Sequence, residues 1–98
     1  MTAVILREAE GDLEAAFDYY ERQRSGLGAE LVVEFRRAVD CILEHPNAWQ
    51  ALDNIYRRCG FHRFPYGVIY RVGSAVSRIT IIAIMQLSQR PDWWRKRQ

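Results

Sequence analysis

Few side chains in this sequence could do chemistry, and most of those are cations. Arg58 and His62 stand four positions apart. An imidazole can take a proton near neutral pH, and a guanidinium can neutralise a phosphate. Together they outline a reduced nucleolytic pair, although a histidine before a strand is by default a solvated loop residue. Tyr66 and Tyr70 share one parity of an extended segment. They suit packing first and a base-stacking platform second. Arg63 and Arg71 take the other parity of a regular strand and either meet an anionic partner or stay solvated at an edge. Trp93 and Trp94 lead into Arg95, Lys96 and Arg97. A short terminal segment cannot bury both rings, so one anchors a core and the other stays exposed among cations, a good hot spot. Asp12 reads as helix-end electrostatics or a salt bridge rather than catalysis.

Cys41 and Cys59 lie 18 positions apart with no CxxC, which fits inert thiols in a reducing compartment. His45 and His62 have no ligand-spaced partners, so neither a metal nor another cofactor is expected. The longest nearly apolar run, Ile79 to Met85, is far shorter than the roughly 20 residues a membrane helix needs. No basic start leads into a long apolar region, so no signal peptide is expected. A cytoplasmic protein without membrane contact is the reading.

Charge divides the chain. Residues 1–53 carry eleven acids and five bases, a net of −6. Residues 54–98 carry nine bases and the single acid Asp92, a net of +8. The total of +2 conceals this split. A basic half asks for an anionic partner, either nucleic acid or an acidic protein segment. Thirteen of the fourteen bases are arginine, which binds phosphate and carboxylate in bidentate fashion.

The elements that position these groups follow from periodicity. Residues 3–7 form a short strand. Ala9, Leu13, Ala16, Phe17 and Tyr20 make one helical stripe, acidic at its start and basic at its end, as the helix dipole favours. Ser25-Gly26 breaks it. A second helix runs from Leu27 to His45, with Leu31, Phe35, Ala38 and Ile42 on its apolar face, and Pro46 stops it. So short a break makes the two helices an antiparallel hairpin. A loop at 46–53 precedes strands at 54–59, 64–72 and 77–85, the last two joined by a turn at Gly73-Ser74. Residues 90–98 form a short basic helix. The order β-α-α-β-β-β-α gives one α+β domain over 1–98, with the helical hairpin on one face of a small antiparallel sheet.

Several motifs then carry a resemblance. They are Ala9 with Asp12-Leu13 and Tyr19-Tyr20, Phe35 with His45-Pro46, Tyr56-Arg57-Arg58, the run RFPYGVIYRV from Arg63, and PDWWRKR from Pro91. Across nearly its whole length the chain resembles the RelE/ParE superfamily of toxins from type II toxin–antitoxin (plasmid stabilisation) modules. The resemblance implies a compact growth-inhibiting toxin, neutralised by a cognate acidic antitoxin that alone contacts operator DNA. Dimerisation of the free toxin is left open.

The superfamily's two branches differ in reaction. RelE-like members are ribosome-dependent mRNA endoribonucleases, which need a proton acceptor, a cation at the phosphate and a proton donor. Carried over residue by residue, that pattern fails here. Gly67 stands where the core-strand arginine would be, aligned on Tyr70. Arg58 matches one lysine, and Gly60 stands where the other would be. Trp93 lies near the tyrosine position, and an indole has no acid–base function. The FPY and Pro-x-x-Trp signatures resemble the ParE branch, which interferes with DNA gyrase. One departure is that Gln86 and Gln89 occupy positions where many members have His and Arg.

The expectation is therefore a ParE-like toxin binding gyrase through Arg90, Trp93, Trp94, Arg95, Lys96 and Arg97. Arg57, Arg58, Arg63 and Arg71 are expected to meet the antitoxin. The alternatives are a ribonuclease using Arg58, His62 and Arg90 on ribosome-bound message, and a degenerate toxin that only binds its antitoxin and co-regulates its operon.

Overall fold

The computed structural model describes residues 2–73 and 78–97. A five-stranded sheet carries a helical hairpin on one face and the C-terminal segment on the other. Strand β1 spans Thr2–Ile5, helix α1 Arg7–Gln23 and helix α2 Leu27–Glu44. Strands β2 (Gln50–Ala51), β3 (Tyr56–Gly60), β4 (Tyr66–Val72) and β5 (Arg78–Gln86) follow, then one 3₁₀ turn at Arg95–Arg97. The sheet order is β1-β5-β4-β3-β2.

The expected helices and three longer strands are present, with three differences. The sheet is mixed: β1 pairs with β5 in parallel, and only the β5-β4-β3-β2 portion is antiparallel. Two residues of the expected 46–53 loop pair with β3, adding an edge strand too short for any periodic signal. The expected C-terminal helix is a single 3₁₀ turn, because Trp94 must point down into the sheet. The expected Gly73-Ser74 turn and the start of the strand at 77 fall partly on residues outside the described ones.

Local chemistry explains the hairpin. Gly26 adopts φ +90°, a conformation that favours glycine. No side chain of its own caps α2. Glu21, near the end of α1, does so instead: its carboxylate accepts the Gly26 N–H at 3.0 Å and the Gly28 N–H at 2.8 Å. Those bonds, and the positive end of the α2 dipole, hold the Glu21 pKa below the usual range. Gly28 lets the helices touch, since a Cβ there would lie 2.7 Å from the Phe17 ring and from its carbonyl oxygen.

The main core lies between the hairpin and the sheet, around Leu31, Phe35, Ile42, Val68, Tyr70 and Ile81. Burial pushes the Tyr70 hydroxyl up to about 12, and it donates to the Pro46 carbonyl at 2.6 Å. A second, smaller core lies on the outer face. There Trp94, fully buried, covers Tyr56, Ile69, Ile82, Ala83 and Met85. A register shift of one residue opposite Ile69/Tyr70 puts both Ile82 and Ala83 on that outer face.

Candidate functional site

The C-terminal segment is fastened at three points. Trp94 plugs the outer face and meets the Tyr56 ring edge-on, 4.8 Å between centroids. Arg95 sits over both rings and bridges Asp92 at 2.8 Å and Asp53 at 2.6 Å. The Ile55 and Tyr56 N–H groups also donate to Asp53. These amides and the Arg95 guanidinium hold the Asp53 carboxyl down at about 2.

The third fastening resolves a problem in the sheet. β1 ends at Ile5, so beyond Ile81 the outer edge of β5 has no strand beside it. Asp12, reaching across from α1, accepts the Ile84 N–H at 3.0 Å. Arg97 donates to the Ile82 carbonyl at 3.0 Å and grips Asp12 with two bonds of 2.6 and 2.9 Å. The pair thus satisfies the free edge in place of a strand. Arg97 also lies over the Trp93 ring at 4.7 Å. Asp12 is the salt-bridge residue expected from sequence. Its part in closing the sheet edge was not legible, because nothing in the chain marks where β1 stops short.

The six residues expected to meet the target therefore divide. Trp94, Arg95 and Arg97 are used internally. Arg90 and Lys96 are exposed, and Trp93 is half-buried with its indole nitrogen covered. One tryptophan does anchor a core, as expected, but the other is not an exposed ring.

The four arginines expected to meet the antitoxin lie on three surfaces. Arg57 faces the helical side and donates to the Trp49 carbonyl at 2.7 Å. Arg63 sits in the loop before β4, paired with Glu30 of α2 and stacked 5.6 Å from the Phe64 ring. Arg58 and Arg71 share the outer face. Arg58 donates to the Gln50 side chain at 2.7 Å. Its alkyl stem lies over Gly67, where a Cβ would come within 2.9 Å of it. Gly67 is thus the floor on which Arg58 rests.

The three ribonuclease candidates are not brought together. Arg58 is on the outer face. The His62 N–H bonds to Glu34 of α2 at 2.7 Å, on the helical side. Arg90 stands in the exposed stretch after β5, beside Pro91, Asp92 and Trp93.

Two cavities complete the surface. An apolar groove of about 300 Å³ runs between β1, α1 and α2, walled by Ile5, Ala9, Leu13, Phe17, Val32 and Phe35. A second, of about 250 Å³, takes in Gln86, Gln89, Tyr19, Tyr66 and Trp93. In it the Gln89 side chain accepts the Gln86 N–H at 2.9 Å, so one glutamine braces the other's backbone.

This fold and sequence match the family model of the ParE toxin of the type II toxin–antitoxin system parDE over residues 4–91. The chain belongs to that toxin family. No curated protein sequence matches it. Among solved structures, a chain of the chromosomal ParDE toxin–antitoxin system from P. aeruginosa has a similar fold, with a TM-score of 0.76 at 21% identity. The similarity covers 90% of this chain and 97% of that one. Among the described residues, no helix is long and apolar enough to cross a membrane.

Proposed function

We propose that this ParE-family toxin halts growth by binding DNA gyrase rather than by cutting RNA, and that a cognate antitoxin neutralises it. One observation carries the choice against hydrolysis. Arg58 and His62 lie on opposite sides of the sheet, and Gly67 stands where a ribonuclease of the superfamily would hold its arginine. General acid–base cleavage needs its groups within hydrogen-bond reach of one phosphate, and this arrangement offers none.

The antitoxin's apolar stripe takes the groove between β1, α1 and α2. The groove is lined by aliphatic and aromatic side chains, and Val4 and Ile5 of the unpaired β1 edge stand exposed beside it. An amphipathic segment gains affinity by burying such a surface. Arg90 and Lys96, exposed on the C-terminal segment, are the gyrase contacts.

The test is a pulse-label of DNA and protein synthesis after induction in cells lacking the antitoxin. DNA synthesis falling first, with strand breaks, supports this reading. Protein synthesis falling first, with cut messages, overturns it in favour of the ribonuclease. Neither falling, with soluble expression, leaves only antitoxin binding and also overturns the gyrase reading.

A further inference from the structure

The arginines of this chain sort into two groups. Arg24, Arg37, Arg63, Arg95 and Arg97 each have a carboxylate partner. Arg58, Arg71 and Arg78 have none among the described residues, and strands β3, β4 and β5 contain no Asp or Glu at all. Register puts all three on the same face. Arg58 lies opposite Ile69, Arg71 opposite Tyr56 and Thr80, and Arg78 two residues before Thr80. Successive arginines are therefore diagonal neighbours across three adjacent strands, with backbone positions about 7–8 Å apart. Lys96, exposed, lies on the segment that covers part of the same face.

We infer that this outer face binds the phosphodiester backbone of a nucleic acid, with Arg58, Arg71 and Arg78 as its phosphate contacts. Three uncompensated guanidiniums in a row form a local positive field that attracts a polyanion, and each can hold a phosphate in bidentate fashion. An acidic peptide is the other polyanion to weigh, and the face suits it less. Peptide segments that order on binding draw their affinity from buried apolar area. Here the apolar residues of the face, Ile69, Ile82 and Ala83, are already sealed under Trp94. The open apolar groove lies elsewhere, and its lining contains no base. Charge and apolar surface are thus segregated on this molecule. The inference does not depend on the gyrase reading, since the face is tested with the toxin alone.

Fluorescence anisotropy with a labelled 20-base-pair duplex and the corresponding single strand tests it. Three phosphate contacts give a slope of log affinity against log salt near −2 for the single strand and near −3 for the duplex. Between 50 and 200 mM salt that is a weakening of roughly 20- to 40-fold. The arm with the tighter binding identifies the form of nucleic acid. The R58Q/R71Q/R78Q variant is expected to lose at least tenfold in affinity and most of that slope. A charge-matched variant on the helical side, R7Q/R22Q/R36Q, keeps both. Circular dichroism and thermal melting confirm that each variant folds. Equal losses in the two variants would reduce the effect to net charge and overturn the proposal. So would retention of affinity in the first variant, or tighter binding of labelled poly-glutamate than of either oligonucleotide.

Discussion

Asp12 and Arg97 each do more than one thing, and that makes their removal costly. Their side chains are only 16% and 18% exposed, so solvent screens the pair weakly. Asp12→Ala removes the grip on Arg97 and the acceptor for the Ile84 N–H, leaving both donors unpaired. The expected cost is about 2–3 kcal/mol, a fall of roughly 10–20 °C in Tm for a domain of this size. Arg97→Gln should cost less, because a neutral amide can still reach the Ile82 carbonyl. A double-mutant cycle should show a coupling of about 1 kcal/mol or more; strict additivity would mean that the two residues act separately. Trp94 matters differently. Its loss opens the outer core and is worth about 3–5 kcal/mol as Trp94→Ala. Deleting residues 90–98 would consequently unfold the chain and say nothing about target contact. Arg90→Gln with Lys96→Gln is the cleaner probe: toxicity should fall while Tm stays within about 2 °C, since single surface changes rarely exceed ~0.5 kcal/mol. Full toxicity in that variant would sink the assignment of these two residues.

At the scale of elements, the helical hairpin offers the same substitution with opposite signs. Gly11 lies inside α1 with nothing within 4 Å of where a Cβ would stand. Gly11→Ala should stabilise by about 0.5–1 kcal/mol, the difference in helix propensity. Gly28 has the same propensity to gain but meets the Phe17 ring and carbonyl at 2.7 Å. Overpacking of that kind costs about 1–3 kcal/mol, so Gly28→Ala should come out destabilising in a urea titration. Equal shifts for the two glycines would mean that the helices do not touch as described. This contrast also marks what the chain discloses by itself. The stripes of α1 and α2, the stop at Pro46 and the β-branched runs of β4 and β5 are periodic signals, and they emerged as elements within a few residues. Which glycine faces a neighbouring helix is a tertiary fact with no periodic trace. The same holds for the parallel partner of β1, for the two-residue β2, and for the sorting of the arginines. Arg58 and Arg63 are five residues apart in a uniformly basic stretch, yet one rests on Gly67 while the other is paired to α2. Only the register of β3 on β4 separates them. The site was legible in its composition, a basic second half, but not in its division into internal clamps and free cations.

For the molecule as a whole, the carboxylates decide how it meets acid. Asp53 falls from an ordinary 3.8 to about 2 through the Tyr56 and Ile55 amides and Arg95. Glu21 and Glu30 are lowered by the Gly26 amide and by Arg63 respectively, as their largest causes. Burial works against Glu34, but the His62 and Arg63 amides still leave it below the usual range. A group whose folded pKa is depressed stabilises the fold above its unfolded pKa, and that contribution is lost as pH falls through the folded pKa. All four groups act in the same direction. Stability should therefore hold from neutrality down to about pH 4.5 and decline steadily towards pH 2. Protonation of the twelve acids also leaves fourteen Lys and Arg and two His unopposed, so self-repulsion adds to the decline. Asp53→Asn separates the two causes. The side-chain oxygen of asparagine can still accept an amide, but it has no charge for Arg95. At pH 7 the variant should have a lower urea midpoint than the parent. As pH falls from about 3.8 to about 2 the parent protonates Asp53 and loses the same interaction, so the two midpoints should converge. Added salt should raise both midpoints at pH 2 by screening repulsion, without reopening the gap. A gap that persists unchanged to pH 2 would mean that Asp53 supports the C-terminal segment by shape alone, and that its charge contributes nothing to holding Arg95 over Trp94.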